Sequence, residues 1–170
     1  MDKKENFYVF LDIDGVLWDW VWRLDQIDKG KIKNKSFISE FKPKSVSALD
    51  NLLERLNEKY DTKLVISSTW RSNLEFTEET LKQNGFKYNG PLYSTPITGG
   101  KRGEEILQYL SDKPKGKILI IDDEYNDFKK YFKPEQIIKT SLFEDSLSQK
   151  HIDNWLDKSK VLEDEATFGQ

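Results

Sequence analysis

Apolar and polar positions along the chain fall into short blocks of two kinds. FYVFLDID (7–14), KLVISST (63–69) and KILIIDD (117–123) are continuous apolar runs that end in polar clusters. Runs that are continuous rather than alternating predict parallel strands covered on both faces. Between the first two lies PKSVSALDNLLERLNEKY (43–60). Its Val46, Leu49, Leu52, Leu53 and Leu56 make one helical stripe, with Pro43 near the start. NLEFTEETLKQNG (73–85) predicts a helix closed by Gly85, and RGEEILQYL (102–110) a helix with acids in its first turn. QIIKT (136–140) is a weaker strand and SQKHIDNWLDK (148–158) a last helix. This alternation predicts an α/β fold: a doubly wound, mainly parallel sheet with helices on both faces. Residues 1–160 are expected to form one domain. Residues 24–42, rich in Lys, Asp and Ser, read as a loop or small insert, and VLEDEATFGQ (161–170) as a loose tail.

Composition narrows the chemistry. The 170 residues suffice for a single packed core. The absence of cysteine excludes disulfides, zinc–thiolate sites and thiol nucleophiles, and His151 is the one histidine, so no multi-histidine metal site exists. A formal net charge of −3 gives no global basic footprint for nucleic acid, although a local basic groove is compatible with it. No apolar run reaches the 18 or so residues that a membrane span needs, and the opening MDKKENFYVFLDIDG is unlike a secretory signal. The expectation is a soluble cytoplasmic protein with no membrane association and no obligate protein partner.

All three strong strands deliver polar residues at their C-terminal ends. In an open parallel sheet those ends share one crevice, where ligands bind. Asp12, Asp14, Ser67, Ser68, Thr69, Asp122 and Asp123 are therefore expected to converge from distant parts of the chain. Converging carboxylates repel one another and call for a cation. Hard oxygen donors without Cys or His point to Mg²⁺, which usually works beside a phosphate. Asp12 and Asp14 stand two residues apart, so on a strand their side chains point the same way, and Gly15 lets the chain turn.

DIDGV, SST, KRG and IIDDEYND, in this order, resemble the four motifs of the haloacid-dehalogenase-like (HAD) phosphohydrolase superfamily. VISSTWR and TPITGGKRGEEI resemble a compact subgroup that includes phage proteins and the HAD domains of composite RNA-repair proteins. The resemblance implies a role for each position. Asp12 is the nucleophile that accepts the phosphoryl group. Asp14 is the general acid, a task that needs a carboxyl protonated near neutral pH. Ser68 holds a phosphate oxygen, with Ser67 and Thr69 as alternatives. Arg102, directly before a glycine that opens a helix, is the motif III cation, with Lys101 a close second. The implied metal set is Asp123 directly, Asp122 and Asp127 directly or through water, Asp12, and Asp14 through its backbone carbonyl. A dehalogenase is disfavoured, because that branch lacks the second aspartate.

Two lookalikes fail. GGKR has Thr95 where a phosphate-binding P-loop needs Gly, and Arg102 where it needs Ser or Thr. A receiver domain carries its acid pair on the first strand, whereas here the adjacent pair comes late.

About 53 residues separate Asp14 from Ser68, and a helix takes a third of them, so neither usual insertion point holds a large cap. The resemblance implies a β-hairpin flap after the first strand, within residues 16–42 or so. Trp18, Trp20 and Trp22 share one face of that flap if it is extended. Packing of these rings onto the domain is favoured over stacking on a base or sugar. Lys29, Lys31, Lys33 and Lys35 follow, and Arg71 either braces the loop after motif II or touches substrate. The expected activity is a Mg²⁺-dependent phosphatase acting on a phosphorylated small molecule or a nucleic-acid end, as a nucleotidase or polynucleotide phosphatase. The alternative is a non-catalytic HAD-fold module that binds phosphate or nucleic acid.

Overall fold

The computed structural model describes residues 3–33 and 38–163; Lys35 and residues 164–170 of the expected tail lie outside them. Strands β1 (Asn6–Leu11), β2 (Asp61–Ile66), β3 (Leu92–Ser94), β4 (Gly116–Asp122) and β5 (Ile137–Lys139) form one sheet in the order β3-β2-β1-β4-β5. Every neighbouring pair is parallel. Among the described residues five α-helices accompany it: α1 (Trp20–Asp28), α2 (Pro43–Lys59), α3 (Leu74–Gln83), α4 (Arg102–Leu110) and α5 (Gln149–Ser159). The doubly wound parallel architecture is the one the apolar runs predict.

Alternation along the strands explains why those runs are continuous. Phe7, Val9 and Leu11 join Leu64, Ile66, Leu119 and Ile121 in a core with the α2 leucine stripe and with Ile152 and Trp155 of α5. Tyr8, Phe10, Val65 and Ile120 face the other way, against Ile106 of α4 and against Phe128 and Phe132. Toward the C-terminal ends of β1, β2 and β4 neither face meets water, so these positions are apolar, while Lys63 and Lys117 near the strand starts stay partly exposed. Each fully buried aliphatic or Phe side chain contributes about 1.5–3 kcal/mol relative to exposure.

The segment after β1 departs from the expected hairpin. A tight turn through Gly15 leads to Asp19, and Trp20 then opens helix α1. Asp19 is the reason: with extended backbone (φ −136°, ψ 163°), its carboxylate accepts the Trp22 N–H at 2.9 Å and caps the helix. The every-second-residue tryptophans mimic a strand, but on a helix Trp20 and Trp22 cannot share a face. Backbone bonds from Trp20 N to Leu142 O, Val21 N to Phe143 O and Leu147 N to Val16 O stitch this insert to the loop after β5. The edge strand β3 has no apolar run of its own and borrows its geometry from β2.

Candidate active site

Strand β1 stands where the strand order reverses, and the crevice beyond its carboxyl end is where open α/β sheets bind ligands. The parallel ladder runs one residue past the strand: Asp12 N donates to Ile121 O at 3.0 Å, and Ser67 N to Leu11 O at 2.8 Å. With Leu11 in register with both Ile66 and Ile121, this sets Asp12 between Ser67 on one side and Asp122 on the other. All three are buried, with Asp12 only 3% exposed. Asp12, Asp122 and Asp123 each bring an oxygen within 4.8 Å of the others. Gly15 makes this approach possible. Its φ of +84° suits glycine, and a Cβ there would stand 2.6 Å from Asp123 Oδ2. Thr140 fixes both partners, donating its hydroxyl to Gly15 O at 2.7 Å and its N–H to Asp122 O at 3.0 Å.

Arg102, the first residue of α4, reaches into this cluster. Its Nη1 lies 3.0 Å from Asp12 Oδ1 and 3.3 Å from Asp122 Oδ2. The helix starts close to the site because Gly103 packs against the Asp127 carbonyl, where a Cβ would stand 2.4 Å away. Three carboxylates thus face one guanidinium, which leaves two negative charges unbalanced when all are ionised. Burial pushes the Asp12 carboxyl up to about 7; Arg102 pulls it down, and the neighbouring Asp123 pushes it further up. Burial, then Asp12 itself, hold the Asp122 carboxyl well above its ordinary range. An all-oxygen set whose full ionisation leaves two negative charges in excess, and is opposed by burial and like-charge repulsion, fits a hard divalent cation.

Asp14 sits apart from that group, half-buried, and is held by two indoles. Trp18 Nε1 donates to its Oδ1 at 2.9 Å. Trp70 Nε1 donates to Oδ1 at 3.2 Å, with a longer limb to Oδ2 at 3.4 Å. Trp70 belongs to a 3-10 turn (Thr69–Asn73) after β2, and sequence reasoning missed it. Its ring stacks on Phe76 at 5.9 Å and 14°, and it meets Phe41 edge-on at 5.6 Å. A cavity of about 240 Å³ lined by Thr69, Trp70, Ser72, Asn73 and Phe76 adjoins it. The only signal in the sequence was TWR itself, a tryptophan directly after the strand-end hydroxyls.

The remaining candidates separate. Ser68 Oγ caps the 3-10 turn, accepting the Trp70 N–H at 3.3 Å. Ser67 Oγ is buried without a hydrogen-bond partner among the described residues. Thr69 is exposed. Lys101 is exposed at the N-cap of α4, so Arg102 and not Lys101 stands on Asp12. Asp127 is half-buried and outside the three-carboxylate group. Arg71 is turned inward: it donates to Ser68 O at 2.8 Å and pairs with Glu105 of α4 at 2.5 Å, which braces the loop after β2. Trp18 is 2% exposed, packed edge-on against Trp20 at 5.0 Å, with the Arg23 guanidinium over its ring. Trp20 and Trp22 are half-buried against the same core. His151 closes a capping box with Ser148 and pairs with Asp145, away from the carboxylates. No helix among the described residues is long and apolar enough to cross a membrane.

No curated protein matches the chain. A family model described as the HAD domain in Swiss Army Knife RNA repair proteins matches residues 8–159. That range contains the three-carboxylate group, Arg102, both strand-end serines and the two indoles on Asp14, and the chain belongs to this HAD family.

Proposed function

We propose that the protein is a Mg²⁺-dependent phosphomonoester hydrolase that works through an aspartyl phosphate on Asp12. The observation that carries this reading is the buried Asp12 carboxylate, set between Arg102 and the Asp122–Asp123 pair at the sheet's switch point. Asp12, Asp122 and Asp123 would hold Mg²⁺, with the Asp14 backbone carbonyl and Asp127 completing the set as the family resemblance implies. Mg²⁺ there supplies neutralisation of charge on the phosphoryl group and on the carboxylates.

The chain's own groups do the rest. An Asp12 Oδ attacks phosphorus, and the bond to the leaving oxygen breaks. The leaving oxygen takes its electron pair and the proton carried by Asp14. Water then attacks the acyl phosphate and gives its proton to Asp14, which releases inorganic phosphate and restores Asp12. Arg102 faces the developing charge. Ser67, beside Asp12 and with an unpartnered hydroxyl, is placed to hold a phosphate oxygen; Ser68, occupied as a cap, is the second choice.

We assign the substrate to nucleotides or nucleic-acid ends. The support is the Trp70–Phe76 pair beside Asp14, with Phe76 38% exposed, together with the RNA-repair description of the family. A base stacked on such a rim gains roughly 1–3 kcal/mol. Lys31 and Lys33 are exposed on the insert and suit phosphates beyond the one cleaved.

Phosphate release from an aryl phosphate, with and without Mg²⁺, tests the chemistry. Activity is expected only with Mg²⁺ and is expected to vanish in Asp12→Asn. Full activity in that variant ends the proposal. Comparison of 5′-mononucleotides with 3′-phosphorylated oligonucleotides tests the substrate class, and equal, very poor rates on both remove the nucleotide assignment. Oligonucleotide binding without turnover of any phosphomonoester returns the protein to the binding-module alternative.

A further inference from the structure

An indole N–H donates and cannot accept. Two such groups converge on one oxygen of Asp14: Trp18 at 2.9 Å and Trp70 at 3.2 Å, both on Oδ1. An oxygen that accepts two N–H bonds has no room to carry a proton as well, because the hydroxyl hydrogen would point at a donor. Among the described residues, Oδ2 receives only the longer 3.4 Å limb from Trp70. From this geometry we infer that Trp18 and Trp70 are positioning residues that assign the Asp14 proton to Oδ2 and aim that oxygen at the leaving group. The inference rests on the reading of Asp14 as proton donor given above.

The two indoles come from opposite sides. Trp18 is fixed from the insert side, where it is buried beneath Arg23 and against Trp20. Trp70 comes from the loop after β2, between Phe41 and Phe76. That loop is anchored by Arg71, which ties it to Ser68 O and to Glu105 of α4. The carboxyl group therefore cannot rotate without breaking a bond to one packed ring or the other. When the ester bond breaks, the proton on Oδ2 passes to the leaving oxygen, which keeps the electron pair of the broken P–O bond. Asp14 is left as a carboxylate whose Oδ1 is still doubly hydrogen-bonded.

Proton donation matters in proportion to the basicity of the leaving oxygen, and this dependence separates positioning from mere structural support. The test is kcat/KM at saturating Mg²⁺ for a series of substituted phenyl phosphates, for wild type, Trp70→Phe, Trp18→Phe and Asp14→Asn. This parameter reports only the steps up to loss of the phenol. Phenylalanine keeps an aromatic ring in place and removes the N–H. The plot of log kcat/KM against leaving-group pKa is expected to steepen in Trp70→Phe. The ester with the most basic leaving group should lose about ten- to a hundredfold, a part of the roughly 10²–10⁴-fold that general acid catalysis supplies. Asp14→Asn should show the limiting slope. Trp70 is half-buried and decides the matter alone if Trp18→Phe, in the core, melts early. An equal loss on every ester in Trp70→Phe, with the wild-type slope retained, overturns the inference while leaving the phosphatase reading intact. An Asp14→Asn protein with the wild-type slope, or a wild type that hydrolyses none of the series, overturns the parent reading instead.

Discussion

At the residue scale, Asp12 carries a contradiction that the fold maintains. Burial lifts its carboxyl from 3.8 to about 7, against the pull of Arg102 and with the push of Asp123. Between those two values the folded protein binds a proton that the unfolded chain has released. Without a cation, stability therefore falls as pH rises through that window, with a slope of up to about 1.4 kcal/mol per pH unit for one such group. Asp122, also raised, adds to the fall. Thermal melts in chelator from about pH 4.5 to 8 should show the decline, and Asp12→Asn, fixed neutral, should flatten it. Parallel curves for wild type and variant would show that Asp12 is not the group responsible. The identity of this residue was legible in the sequence, because an aspartate that ends a continuous apolar run has nowhere to go but the strand-end crevice. Its partnership with Arg102 rather than Lys101 was favoured by the family resemblance alone, through the glycine that follows Arg102; apolar patterning could not choose, since one helical step decides which side chain faces Asp12.

At the scale of elements, the insert shows where sequence patterns mislead. WDWVWR alternates large rings with other residues, as a half-buried strand does, and its exposed Val21 and Leu24 blur any helical stripe. The decisive signal was the single Asp19, whose carboxylate is 1% exposed and serves three partners. Oδ1 takes the Trp22 N–H; Oδ2 takes the Ser146 hydroxyl at 2.5 Å, the Ser146 N–H at 3.3 Å and Lys42 Nζ at 3.4 Å. Burial acts to raise this carboxyl, but those donors together outweigh it and hold it below its ordinary range. Its stabilisation is thus present above the ordinary carboxylate range and is lost as pH falls, opposite in sign to Asp12. Asp19→Ala removes a cap, worth about 0.5–2 kcal/mol, and strands buried donors, at about 1–3 kcal/mol. Urea denaturation should therefore show a loss of about 2–4 kcal/mol, together with a weaker response to acid. A change under about 0.5 kcal/mol, the scale of an ordinary surface substitution, would mean that α1 and the loop after β5 are held by something else. Long elements such as α2 and β4 needed no such detail, since apolar period alone specified them. The three-residue β3 was invisible because its strand geometry comes from pairing with β2.

At the scale of the whole molecule, the carboxylate group ties together segments that sequence separates by more than a hundred positions. Asp12 follows β1, Asp122 ends β4, Asp123 rests on Gly15, and Thr140 after β5 clamps Gly15 to Asp122. Global unfolding must disperse the group, so any cation it binds stabilises the entire domain. At a Mg²⁺ concentration a hundred times the dissociation constant, the gain is about 2.7 kcal/mol. For a domain of this size that corresponds to a rise of roughly 5–11 °C in Tm. Asp123→Asn separates this effect from general salt screening in two ways. It removes one like charge from the cluster, so the cation-free variant should melt higher than cation-free wild type near pH 8. It also removes a ligand, so the Mg²⁺ increment should shrink or vanish. The exposed Asp112, paired with Lys113 at 2.9 Å away from the cluster, provides the comparison: Asp112→Asn should keep the full increment. Equal increments in wild type and Asp123→Asn, or the same increment from monovalent salt at matched ionic strength, would detach the cation from these carboxylates. A lost increment combined with a higher cation-free Tm is the pair of outcomes this group should give, because a cluster of like charges gains stability from losing one of them and loses a ligand in the same step.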